Sequence, residues 1–125
     1  MEKGQMIHVA IGALLKAKRE ESGQPQIEIA NRLNYRNKNL ISMIESGRAN
    51  LPIKRIGNFA VAYGFLPGEV LVFIKSLMPE VWSAFIMGLG AKEGEETSKK
   101  LDEETTKTFE KLMKRYELSQ YLNHL

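Results

Sequence analysis

Apolar residues recur along this chain at the spacing of an α-helix, and breaks rich in glycine, proline and polar residues divide them into short segments. From Ile7, the residues Ile7, Ile11, Leu14 and Leu15 fall at i, i+4, i+7 and i+8, one side of a helix that runs to about Ser22. Gly23 supplies the stop. Pro25 suits a first helical turn, and Ile27, Ala30 and Leu33 then repeat at i, i+3 and i+6 to give a short second helix ended by Asn34. Asparagine tolerates the left-handed backbone of a tight turn, so NYRNKN reads as a polar connection. Leu40, Ile41 and Ile44 then open a third short helix, which Gly47 closes.

Pro52 begins a fourth helix in which Ile53, Ile56, Phe59, Ala60 and Tyr63 form a core stripe, with Gly64 at its end. Pro67 opens a fifth, where Val70, Leu71, Ile74 and Leu77 make one stripe while Val72 and Phe73 add a second apolar side. Two apolar faces require two partners. In PEVWSAFIMGLG, Val81, Trp82, Phe85, Ile86 and Leu89 cluster again on one helical side, and AKEGEETSKK reads as a polar linker. Asp102 is an N-cap candidate for a last helix in which Leu101, Thr105, Phe109, Leu112, Met113 and Tyr116 share a face. No segment alternates with period two over a strand's length. The expected fold is all α: five helices in residues 1–77, then a helical extension in 78–125 for packing or dimerisation.

Length and charge narrow the class. The chain has 125 residues, enough for one domain or one domain with an appendage. It has no cysteine, which removes a disulfide framework, a thiolate zinc site and a cysteine nucleophile, and agrees with a reducing, cytoplasmic setting. No small-residue cleavage site follows the first apolar stretch, so no secretory signal is expected. The longest apolar region, Val70 to Leu89, is interrupted by Lys75, Pro79 and Glu80, which argues against a membrane span.

The net charge of +3 hides an asymmetry: residues 1–60 sum to +5, whereas 61–90 and 91–125 each sum to −1. The excess is densest from Arg32 to Arg55, where Arg32, Arg36, Lys38, Arg48, Lys54 and Arg55 face only Glu45. Such a footprint suits a polyanion such as the DNA backbone, provided that the fold aims these side chains at one groove.

Two short helices joined by a tight polar turn, inside a compact helical half, have the organisation of a helix-turn-helix DNA reader. The segments LKAKREESGQPQIEIANRL, LISMIESGRANLP and IGNFAVAYGFLPGEVL carry Arg19, Gln26, Ala30, Leu33, Ile41, Ser42, Ile44, Glu45 and Gly47 in order. In these positions the chain resembles the lambda-repressor-like helix-turn-helix family, also called the Cro/cI or XRE type. The likeness covers roughly Ile7 to Val72.

The resemblance implies roles residue by residue. Arg19 and Glu45 match an arginine and a glutamate that pair inside the domain, and Gln26 matches a position whose amide meets a phosphate. Base reading falls to the front and outer face of the third helix, at Asn37, Lys38, Asn39, Ser42 and Met43. Asparagine suits adenine and lysine suits guanine in the major groove. Met43 is equally a loosely packed core residue or a contact to a thymine methyl. Arg36, Arg48, Asn50 and Lys54 flank the helix as phosphate ligands. The chain departs from the family pattern in one respect. Leu33 to Glu45 spans twelve residues where the family has eleven, and Asn34 replaces the usual turn glycine. The register of Tyr35 to Asn39 on DNA is left open by this longer turn, in which Tyr35 is either a turn-packing residue, the favoured reading, or a phosphate donor.

One short helix in a groove reads too few bases, so such proteins bind as two-fold dimers on half-sites about 34 Å apart. Val72, Phe73, Trp82, Phe85, Ile86, Phe109 and Tyr116 supply candidate interface surface, shared with packing of the last helix. The expected function is a dimeric repressor of a prokaryotic or mobile-element operon, binding a pseudo-palindromic operator in double-stranded DNA without metal or cofactor. An enzyme fits poorly, because the only histidines are His8 and His124 and the only aspartate is Asp102. The alternative is an antitoxin whose C-terminal part, from Lys99 to Leu125, binds a toxin protein while the N-terminal half represses its own operon.

Overall fold

The structure, a computed structural model, describes residues 3–77, 79–80, 83 and 91–122, and among these it is all α-helix, turn and connection, with no strand. In order, the helices are α1 (Lys3–Ser22), α2 (Gln26–Arg32), α3 (Asn39–Glu45), a 3₁₀ turn (Ile53–Arg55), α4 (Ile56–Tyr63), α5 (Pro67–Leu77), α6 (Ala91–Arg115) and α7 (Ser119–Leu122). Among the described residues no helix is long and apolar enough to cross a membrane.

The breaks between the first helices follow from local chemistry. Asn34 takes a left-handed φ of 63° after α2, and its amide closes the turn on the Asn31 carbonyl. Pro25 caps α2 from just outside, with an extended backbone that spares it a helical hydrogen bond. The buried stripe of α2 is Ile29, Ala30 and Leu33, while Ile27 is 41% exposed. The expected i, i+3, i+6 series thus began two residues early, because a helix of seven residues accommodates either stripe. After Pro52 the chain first makes a 3₁₀ turn, closed by Arg55 N–H on the Pro52 carbonyl, and Ile53 is left half exposed.

Among the described residues one core runs through the fold. Ile11, Leu14 and Leu15 of α1 meet Ile41 and Ile44 of α3, Phe59 and Ala60 of α4, and Phe73 of α5, all buried. Leu112 of α6 and Leu118 beyond it belong to the same core, so its packing crosses from residues 1–77 into 78–125. α5 lies against α4 and α6, which gives its two apolar faces their two partners. Val72 and Phe73 are accordingly 7% and 1% exposed, and Phe73 meets Phe65 edge-on at 5.2 Å. They are core residues of this chain, not surface offered to a second copy.

Residues 91–100, expected as a linker, form the first turns of α6, and Asp102 stands within that helix instead of capping it. Lysine and glutamate are good helix formers, and Glu95–Lys99 and Glu96–Lys100 have the spacing that supports a helix without any apolar stripe. Asp102 instead accepts a 2.5 Å contact from Lys75 of α5, and Arg115 pairs with Glu21 of α1. Trp82, Phe85 and Ile86 lie outside the described residues.

Candidate nucleic-acid interface

α2 and α3 pack through Ala30 and Leu33 on one side and Ile41 and Ile44 on the other, each no more than 2% exposed. The rear of α3 rests on α1 at Gly12. A Cβ added there would stand 2.2 Å from the Ile44 carbonyl oxygen, so only glycine permits this approach of the two backbones.

The C-terminal end of α3 is tied down by Glu45, whose residue is 5% exposed. Its carboxylate accepts Arg19 Nε at 2.9 Å and Nη2 at 2.8 Å, Tyr63 OH at 2.6 Å and Gln26 Nε2 at 3.2 Å. The remaining arm of Arg19, Nη1, donates to the Gln24 carbonyl at 2.9 Å. Helices α1, α2, α3 and α4 therefore converge on one carboxylate. Burial pushes the Glu45 carboxyl up, but hydrogen bonds from Arg19, Tyr63 and Gln26 outweigh it and hold the group below its ordinary value. The same burial, together with the bond to Glu45, drives the Tyr63 phenol far above the usual range.

Gln26, assigned to a phosphate by resemblance, thus has its amide nitrogen engaged inside the protein. Tyr63, read from its spacing as one more core residue, also carries a polar bond. Its hydroxyl is the signal that the spacing left unused, because a buried phenol normally finds a partner.

The front of α3 is open. Asn37, Lys38, Asn39 and Met43 are exposed and Ser42 is half buried. Asn39 and Met43 stand one turn apart on one face, with Ser42 beside them. Asn37 Oδ1 accepts the Asn39 N–H at 3.0 Å, which settles the first turn of α3. At the other end, the Arg48 and Ala49 amides both close on the Met43 carbonyl, and Arg48 Nε reaches Ser46 Oγ at 2.9 Å. Arg36, Arg48, Asn50 and Lys54, which flank α3 in sequence, are all exposed.

Sequence reasoning set Lys38 on bases and Arg36, Arg48 and Lys54 on phosphates and left Arg32 and Arg55 without a role, which the hydrogen bonds of the structure supply. Arg32 donates to the Ala62 carbonyl at 2.9 Å and to Gln24 Oε1 at 2.6 Å, and Arg55 Nη2 donates to the Leu33 carbonyl at 2.9 Å. These two arginines brace helices. Among the described residues Arg36, Lys38, Arg48 and Lys54 form no ion pair. Of the dimer candidates in the described part, Phe109 is 38% exposed and Tyr116 half buried, both on the C-terminal side.

Comparison with protein-family models, curated proteins and solved structures finds no match to this chain.

Proposed function

We propose that this chain is a sequence-specific DNA-binding regulator, acting as a homodimeric repressor on a pseudo-palindromic operator. One observation carries the reading: α3 is fixed from behind at Gly12 and Glu45, while its front offers Asn39, Ser42 and Met43, and the four exposed cations that flank it in sequence, Arg36, Lys38, Arg48 and Lys54, form no ion pair among the described residues. A rigid helix with amide and hydroxyl groups suits base edges in a major groove. Arg36, Lys38, Arg48 and Lys54 suit the phosphates on either side, releasing counterions as they bind. α3 spans about 10 Å at 1.5 Å per residue, so one copy reads only a few base pairs, and a second copy related by two-fold symmetry supplies the rest. Repression then follows from exclusion of polymerase at the occupied site.

The test is selection of binding sites from random duplex DNA at two salt concentrations, with Asn39→Ala run in parallel. The expected result is an enriched inverted repeat with half-site centres about 34 Å apart, altered in the variant. Binding that shows no motif and disappears as salt rises would reduce the basic face to an electrostatic surface.

A further inference from the structure

We propose that Arg55 is a positioning residue for α3: it locks the turn between α2 and α3 and so fixes which bases the front of α3 meets. The proposal rests on the DNA-reading function above. Its basis is a set of restraints that all fall on residues 33–35. Arg55 Nη2 holds the Leu33 carbonyl at 2.9 Å, and its guanidinium carbon lies 5.0 Å from the centre of the Tyr35 ring. The same ring packs at 54° against Phe59 of the core, with centroids 6.3 Å apart. The Tyr35 amide closes on the Ala30 carbonyl at 2.9 Å, and Asn34 between them holds φ at 63°.

This turn needs an outside brace. Its left-handed residue carries a side chain, and beyond Tyr35 the connection Arg36, Asn37 and Lys38 is exposed, held by the local Asn37–Asn39 bond and by the Lys38 carbonyl, which accepts the Ser42 N–H at 2.9 Å. Arg55 comes from the 3₁₀ turn, which leads directly into α4, so it transfers the position of the core to the start of a helix only seven residues long. Placement of a reading helix to within a fraction of an ångström decides whether its side chains reach base edges. The guanidinium fork donates to a carbonyl and stacks on a ring at once, which a lysine of equal charge cannot do. Although it sits in the basic stretch, Arg55 is therefore assigned to the geometry of reading and not to the phosphates.

The experiment compares the full chain with Arg55→Lys and Tyr35→Leu. Each protein is titrated with the duplex that the wild type selects and with a scrambled duplex of equal length and composition. Both variants are expected to lower the ratio of the two affinities about tenfold, the worth of one base contact, with scrambled-duplex binding and its salt slope unchanged. Tyr35 amide exchange in the free protein should quicken in Arg55→Lys while amides of α1 stay protected. Partial unfolding lowers both active concentrations together, so the ratio survives a loss of stability. An unchanged ratio in Arg55→Lys overturns the proposal whatever Tyr35→Leu does. Equal weakening of both duplexes is likewise an unchanged ratio and overturns it, whether a backbone contact or folded protein has been lost. A wild type that selects no sequence overturns the DNA reading itself, and the positioning role with it.

Discussion

The Tyr63 hydroxyl, at the end of α4, donates a buried 2.6 Å hydrogen bond to the carboxylate of Glu45, at the end of α3. Together with Arg19 and Gln26, it turns a simple ion pair into a joint between four helices. The members of such a joint are unequal. Glu45→Gln leaves Arg19, whose side chain is only 12% exposed, without its counter-charge, and is expected to cost about 3 kcal/mol of stability. Tyr63→Phe removes one donor and leaves the charge pair in place, at about 1 to 2 kcal/mol. Urea denaturation of the two variants checks the order. Equal losses would mean that the pairing with Arg19 contributes no more than a single hydrogen bond.

The same carboxylate makes stability fall in acid. Its folded value lies below the ordinary 4.5, so under acid conditions the unfolded chain binds a proton that the folded one resists. The contribution is complete above about pH 4.5 and is lost as pH falls through the lower folded value. Thermal midpoints of the wild type and Glu45→Gln, followed from pH 7 down to about pH 3, should therefore converge toward the acid end. A constant gap between the two curves over that interval would assign the acid sensitivity to other carboxylates.

Two helical glycines should respond in opposite directions to the same substitution. At Gly12 an added methyl would stand 2.2 Å from the Ile44 carbonyl, so Gly12→Ala must push α1 off α3 and is expected to cost about 2 kcal/mol despite better helix propensity. At Gly57 nothing lies within 4 Å, and Gly57→Ala is expected to add about 0.5 to 1 kcal/mol by restricting the unfolded chain. Thermal melts of the pair check the sign directly. A stabilised Gly12→Ala protein would show that the α1–α3 contact yields without loss.

These contrasts mark what a linear reading reaches. Helices α1 to α5 were legible because a 3.6-residue apolar period, broken at Gly23, Asn34, Gly47 and Gly64, is a local property. The period fails where it is short or absent. It placed Ile27 in the core in place of Ile29, and it read the helix-forming lysines and glutamates of 91–100 as a linker because no apolar face marks them. Contacts made across the fold leave no period at all. Gly12 looks like a weak helix residue until Ile44 stands behind it, and Arg55 looks like one more cation until its nitrogen is found on the Leu33 carbonyl, 22 residues earlier. The Arg19–Glu45 contact was reachable only through resemblance to a family, since 26 residues separate the partners.

The proposed division of labour around α3 makes a prediction about DNA that separates side chains only a turn or so apart. Lys38 and Asn39 stand exposed at the start of α3, where base edges would lie, so Lys38→Ala or Asn39→Ala should relax base preference at one position and leave folding intact. Arg48 lies past the other end of the helix and is held by Ser46, a geometry suited to a phosphate. Arg48→Ala should therefore weaken binding to every sequence alike and reduce the slope of log affinity against log salt by about 0.9, one released counterion. Titrations of each variant with the selected duplex, with its single-base variants and at several salt concentrations give both quantities from one set of curves. Equal losses across all three variants, with no change of preference in any, would show that α3 touches the backbone alone and that base reading, if the protein performs it, lies elsewhere on the surface.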